Sequence, residues 1–207
     1  MDSTFDPRSQ QDSIEDKIIA SVERLSHVLR HLLHAEMHGR GLSPIQVQFL
    51  VYLAFHPPEY CRVTRLAREF QLTQPTVSDA VNALIRKGLV EKETLPQDRR
   101  VSVLRLTDAG RIMAEELADW AEGLKPYLLE ALSDEERKGL MWGLMKWIAA
   151  LERGGVISVA RMCFTCRFFE EMRGPDSREP YYCHLLDRPL SLAELRLDCL
   201  DHEPLPK

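Results

Sequence analysis

Residues 64–106 carry the pattern that most constrains the fold: two short helical segments, a tight turn between them, and a polar hairpin directly afterwards. Thr64 and Thr73 can each accept a hydrogen bond from a backbone amide, which predicts a helix N-terminus at each position. Gly88 ends the second helix, residues 74–87, because glycine readily adopts the left-handed backbone conformation. The inner face of that helix is apolar at helical spacing; it consists of Val77, Ala80, Val81 and Leu84.

Two short strands are predicted after this pair of helices, at residues 89–93 and 101–106, with a basic tip at residues 96–100 between them. A helix–turn–helix followed by a hairpin is a winged helix–turn–helix, whose second helix can enter the DNA major groove and read base edges there. The polar side chains available on the outer face of that helix are Gln74, Thr76, Ser78, Asp79 and Asn82. Arg99 and Arg100 of the hairpin can reach the minor groove or its phosphates.

The net charge of the chain, −5 over 207 residues, at first argues against a nucleic-acid partner. The distribution of charge reverses that argument, since residues 62–105 contain 9 basic and 5 acidic side chains, a net charge of +4. The rest of the chain therefore carries −9, which is −5 minus +4. A partner responds to the local field, so a basic DNA-binding segment is compatible with an acidic protein.

Three pieces of this region resemble the MarR family of transcriptional regulators: LSPIQVQFLVYLA, VTRLAREFQLTQPTVSDAVNALIRKGLVEK and PQDRRVSVLRLTDAGR. The resemblance implies a homodimer with interlocked terminal helices, bound to a palindromic operator in double-stranded DNA. It also implies that Thr76 and Ser78 lie on the recognition helix, and that Asp98, Arg99 and Arg100 belong to the wing. Asp79 departs from the family pattern, which often has arginine there.

Four of the five cysteines fall in residues 156–207, as Cys163 and Cys166 in a CxxC motif, then Cys183 and Cys199. Four thiolates can bind Zn²⁺ tetrahedrally, and His202 is an additional candidate ligand. Four cysteines can equally bind a [4Fe–4S] cluster. Zn²⁺ is the first expectation and the iron–sulfur cluster is the alternative.

The whole chain is predicted to be mainly α-helical, with a small β-hairpin wing, flanking dimerisation helices and a Cys-rich C-terminal domain. The predicted boundaries are a disordered N-terminus at residues 1–12, a winged-helix DNA-binding and dimerisation domain at 13–155, and a Cys-rich metal-binding extension at 156–207. No apolar run is long enough to span a membrane, and the polar N-terminus is not a secretory signal, so a cytoplasmic protein is expected.

These features predict a sequence-specific DNA-binding transcriptional regulator, a dimeric repressor whose DNA affinity responds to a small-molecule effector, a metal or redox state. Two alternatives remain: an electron-carrying protein built around the metal centre, and a winged-helix adaptor that docks proteins. The chain contains no GxGxxG, P-loop, GxSxG or HExxH motif, so an enzyme is not expected.

Overall fold

The protein is described by a computed structural model over residues 3–8, 10, 13–37, 39–95, 98–171 and 181–205, without the side chains of residues 95 and 98–101. The α-helices in these residues are α1 (Ile14–Glu36), α2 (Pro44–Phe55), α3 (Val63–Glu69), α4 (Gln74–Arg86), α5 (Asp108–Ala118), α6 (Lys125–Ala131) and α7 (Asp134–Arg153). The strands are β1 (Val90–Leu95), β2 (Asp98–Leu106), β3 (Phe169–Glu171), β4 (Tyr181–Cys183) and β5 (Arg188–Leu190). The prediction of a mainly helical winged-helix fold is confirmed.

Side chains that cap helix N-termini set most of the helix starts. The hydroxyls of Thr73, Thr107 and Ser133 accept hydrogen bonds from the backbone amides of Thr76, Gly110 and Glu136, and the cap at Thr73 confirms the prediction made for it. The predicted cap at Thr64 is wrong, because α3 begins at Val63 and its N-cap is Arg62, two residues before Thr64. The turn between α3 and α4 places Gln71 in the left-handed region, at φ 51°.

The wing is an antiparallel hairpin of β1 and β2, with Val90 opposite Leu106 and Leu95 opposite Asp98. The hairpin is longer than predicted, because residues 98–100 belong to β2 rather than to the tip. Strand pairing extends there through backbone hydrogen bonds, which side-chain polarity does not reveal. Residues 96 and 97 lie outside the described part of the chain.

The winged-helix core lies between α2, α4, α5 and the wing. The inner face of α4 is buried in it through Val77, Val81 and Leu84, each with no exposed surface. The largest fully buried side chains around them are Phe49, Leu50, Leu66, Leu104 and Leu117. This packing fixes α4 by its apolar face and leaves its polar face outward.

The C-terminal segment forms a small antiparallel sheet in the order β3-β4-β5, beside a short 3₁₀ turn at Cys163–Thr165. It packs against Met145 and Ala149 of α7 through Met162, Tyr181 and Leu190. A second buried cluster therefore joins the segment to the helical body.

The predicted boundaries at residues 12 and 155 stay predictions. Helix α7 ends at Arg153, and Gly155 follows with φ 72°, so the chain turns at the place where the second boundary is predicted. Residues 3–8 form turns, whereas residues 1, 2, 9, 11 and 12 of the predicted disordered segment lie outside the described residues. Across the part of the chain that the structure describes, no helix is long and apolar enough to cross a membrane.

Candidate nucleic-acid interface and cysteine pocket

Helix α4 presents the predicted DNA-reading side chains on its outer face. Gln74, Thr76 and Asp79 are exposed, and Ser78 and Asn82 are half-buried. All five residues lie on α4, and the opposite face of this helix is buried in the core. The structure thus places on one element the donors and acceptors that sequence analysis assigned to base or phosphate contacts.

Two contacts order the polar groups of α4. The Thr73 and Thr76 hydroxyl oxygens lie 2.8 Å apart, in addition to the capping hydrogen bond from the Thr76 amide. At the other end, the Lys92 ammonium of β1 donates to the side-chain carbonyl of Asn82 at 3.2 Å. This contact joins the recognition helix to the wing, and it also turns the Asn82 amide nitrogen away from that lysine.

The wing carries its predicted basic residues on β2. The backbones of Asp98, Arg99 and Arg100 are part of that strand, while their side chains lie outside the described part of the structure. Nearer the body, Arg105 of β2 forms an ion pair with Glu93 of β1 across the hairpin. The Glu93 carboxylate therefore neutralises the charge of Arg105 within the wing.

The four C-terminal cysteines line one pocket. Cys163 and Cys166 come from the 3₁₀ turn and its end, Cys183 from β4, and Cys199 from the loop that follows the last 3₁₀ turn. Each is half-buried, and none forms a disulfide. The four cysteines therefore border one cavity, and their ligand role stays a prediction.

Nitrogen donors face two of the four sulfur atoms. The Arg196 backbone amide donates to Cys163 Sγ at 3.2 Å, and the Arg196 guanidinium donates to Cys199 Sγ at 3.4 Å. Burial raises the pKa of the Cys163 thiol, and the Arg196 amide opposes that rise. The net effect is a raised pKa, because burial outweighs the hydrogen bond from the Arg196 amide.

The two C-terminal histidines lie apart from these sulfurs. His202 Nε2 is 3.0 Å from both the hydroxyl and the carbonyl oxygen of Thr165, and it lines a different cleft. His184 pairs with Glu170 at 2.7 Å. Within the described ranges, no group of three or more His, Cys, Asp or Glu side chains is arranged to hold a single metal ion. The His202 ring therefore contacts Thr165 and does not line the cysteine pocket, while its role as a ligand and the binding of Zn²⁺ stay predictions.

Comparison with known proteins decides the class of the helical body. Residues 40–101 match the MarR family. The chain is 25% identical over 121 residues to the HTH-type transcriptional repressor YetL of Bacillus subtilis (strain 168), covering 58% of this chain and 72% of that protein. This chain is a DNA-binding transcriptional regulator.

Solved structures agree with this assignment. MepR of S. aureus in its DNA-binding conformation superposes with a TM-score of 0.58 at 25% identity, over 65% of this regulator and 98% of MepR. The S. aureus MepR–DNA complex superposes with a TM-score of 0.57 at 25% identity, over 64% and 96% of the two chains. The family match ends at residue 101 of the regulator, so it does not extend to the cysteine segment.

Arg161 connects the cysteine segment of the regulator to its helix–turn–helix. Its guanidinium donates to Glu69, the last residue of α3, at 2.6 Å and to Asp198 at 2.8 Å. Its carbonyl oxygen accepts from the Cys199 amide at 2.7 Å. Burial acts to lower the pKa of Arg161, but the hydrogen bonds to Asp198 and Glu69 outweigh it and raise the pKa above its ordinary value. Arg161 therefore stays positively charged.

Further contacts surround Arg161. The His56 ring nitrogen Nε2 lies 2.9 Å from Asp198, and the Tyr60 hydroxyl donates to the Leu200 carbonyl at 3.1 Å. The Arg161 guanidinium also lies over the Tyr60 ring, 5.0 Å from its centroid. The sequence does not predict this network, because its partners are far apart in the chain and no local motif marks them. The Lys92–Asn82 contact joins a helix to a strand across 10 residues, so neither helical nor strand periodicity predicts it.

Proposed function

We propose that the protein is a dimeric repressor that reads a palindromic operator with α4 and its wing. The observation that carries this proposal is the pairing of a buried apolar face with an exposed polar face on α4, beside a hairpin with two arginines in sequence. The repressor assignment is supported by the similarity to YetL, which is a transcriptional repressor.

Each predicted side chain has a role in the proposed interface. Gln74 and Asn82 pair with adenine, and Thr76 and Ser78 donate to bases or phosphates. Asp79 is exposed, and its carboxylate accepts from a cytosine amino group, since an acidic side chain gains nothing beside a phosphate. Arg99 and Arg100 bind the minor groove or the phosphates that border it.

A second copy of the chain is the proposed partner of α1 and α7. Ile14 and Leu25 of α1 are 63% and 61% exposed, and Leu140 of α7 is 46% exposed. A groove of about 560 Å³ between the two helices is lined by Ile18, Ile19, Leu140, Leu144 and Trp147. Apolar side chains clustered on one exposed face mark an interaction surface, and MarR-type proteins use their terminal helices to dimerise.

The dimer has a direct test. Leu144→Glu places a charge in the groove, whereas Glu135→Gln changes an exposed residue in the first turn of the same helix. Sedimentation equilibrium should give a dimer for the wild-type chain and Glu135→Gln, and a monomer for Leu144→Glu. A wild-type monomer at micromolar concentration would overturn the dimer proposal. Circular dichroism of Leu144→Glu separates dissociation from unfolding.

DNA affinity is proposed to respond to the state of the cysteine pocket. Cys199 is next to Asp198 in the chain, and the Arg161 guanidinium donates to both Asp198 and Glu69 of α3. A rearrangement at Cys199 can therefore reach the helix–turn–helix through these hydrogen bonds. A ligand shifts such an equilibrium only by its difference in affinity for the two states.

The coupling between the cysteine pocket and DNA affinity can be measured with a double-mutant cycle. Cys199→Ala should change the Kd for a selected operator, and Arg161→Met should abolish that difference. If Cys199→Ala binds DNA like the wild type while folding normally, the pocket does not regulate DNA binding.

A further inference from the structure

We propose that the four cysteines of the C-terminal segment hold a [4Fe–4S] cluster in the pocket they line. Each thiol loses its proton, and each sulfur coordinates one of the four irons. The inference concerns metal content alone, so it does not depend on the dimer or on DNA binding.

The four cysteines around one pocket supply the ligand set of a [4Fe–4S] cluster. Around one Zn²⁺ the thiolates converge at Zn–S distances of about 2.3 Å, which puts the sulfurs about 3.8 Å from one another. All four cysteines border the same pocket. In a cluster each cysteine binds a different iron, so the sulfurs surround a cavity and stand farther apart.

The chain fixes the four sulfurs from separate elements. The Cys166 amide donates to the Cys163 carbonyl at 3.0 Å, which closes the CxxC turn. Cys183 is held in β4 opposite Phe169 of β3 and Arg188 of β5. The Cys199 amide donates to the Arg161 carbonyl. The pocket is therefore a framework set by backbone pairing as well as by its side chains.

The charges at the pocket suit an anionic cluster. Four thiolates make the assembled group negative, and N–H donors to the sulfurs stabilise it. Arg196 supplies two such donors, from its amide and its guanidinium. The guanidinium also donates to Asp201 at 3.2 Å, and Arg188 donates to Glu194 at 2.6 Å, so these two acids orient the arginines at the rim.

An apolar lining completes the site. Phe168, Phe169 and Leu190 border the cysteines, together with Leu185 and Leu186. Such side chains restrict water at the metal, and solvent exposure is one of the factors that set cluster stability and potential. A structural Zn²⁺ with four protein ligands has no need of this space.

The test measures metal and sulfide in the full-length chain. The protein is isolated under nitrogen and also incubated there with ferric chloride, sodium sulfide and excess dithiothreitol. We expect four irons and four sulfides per chain, with a broad visible absorption that d¹⁰ Zn²⁺ cannot give. Cys163→Ala and Cys199→Ala should each lose most of the iron and the colour.

Controls make the result decisive. Cys61→Ala removes the cysteine that lies in the winged-helix core rather than in the pocket, so it should keep the full iron content. Cys183→Ser gives a further pocket variant if one alanine variant fails to fold by circular dichroism. One zinc per chain without sulfide after the incubation, no bound iron, or iron that survives all pocket substitutions would each overturn the proposal.

Discussion

The Arg161 guanidinium donates to the Glu69 carboxylate at 2.6 Å and thereby ties the segment after α7 to the last residue of α3. Their side chains are only 10% and 23% exposed, so this ion pair is largely shielded from water. A shielded pair loses stability when one partner is removed, because the other charge is left without compensation.

Arg161→Met should lower the free energy of unfolding by about 3 kcal/mol, since it leaves both Glu69 and Asp198 without this cation in a partly buried place. Urea denaturation gives the value. The matched control is Arg167→Met in the same segment, whose pair with Glu203 is about half exposed on both sides and should be worth less than about 1 kcal/mol. Equal losses for the two variants would contradict the shielded role of Arg161.

The wing arginines should appear in the salt dependence of DNA binding. Replacing both Arg99 and Arg100 with alanine should reduce the slope of log K against log salt by about 0.9 for each phosphate that is no longer neutralised. Arg153→Ala, exposed at the end of α7, should leave the slope unchanged. Fluorescence anisotropy over a salt series measures it, and an unchanged slope in the double variant would refute the wing assignment.

Replacing Gly110 with any larger residue is predicted to lower the stability of the fold. A Cβ atom at Gly110 would lie 1.8 Å from the Leu89 carbonyl oxygen, where the start of α5 meets the chain leading into β1. Gly110→Ala should therefore destabilise the fold by at least about 2 kcal/mol. At Gly123 a Cβ would meet nothing within 4 Å, so Gly123→Ala should be neutral or stabilising by about 0.4–1 kcal/mol. Thermal unfolding that ranks the two variants alike would contradict this close approach.

Cys61 should be unreactive in the native protein. It is 3% exposed, and burial, reinforced by the nearby Glu59, raises the pKa of its thiol to about 11. The thiol is the stable form below that pKa, and the thiolate is the nucleophile, so iodoacetamide at about pH 8 should label Cys61 only after denaturation. Peptide mass spectrometry locates the label. Rapid labelling of native Cys61 would instead make it a candidate sensor thiol.

Local signals in the sequence predict the helix starts where the deciding hydrogen bond is itself local. Thr73, Thr107 and Ser133 each cap the amide three residues ahead. The start of α3 differs because a long-range bond, from the Leu104 amide to the Cys61 carbonyl at 2.7 Å, fixes the chain just before Arg62. No local pattern encodes that bond.

The candidate site likewise contains parts that the sequence predicts and parts that it does not. The outer face of α4 follows from helical periodicity, so its side chains could be assigned from the sequence. The spacing of the cysteines indicates a shared site. The contact of His202 with Thr165 depends instead on how the C-terminal loop folds, which no local pattern predicts. The Arg161 network depends on partners 37 and 92 residues away and could not be read locally.

The most direct test of sequence-specific DNA recognition compares two DNA duplexes at one fixed salt concentration. One duplex is selected from a random library by the full-length protein, and the other has the same bases in shuffled order. We predict a two-fold symmetric selected sequence, bound at least about a thousandfold more tightly than the shuffled duplex. Equal affinity for the two duplexes, with no symmetric sequence emerging, would contradict the proposed repressor function.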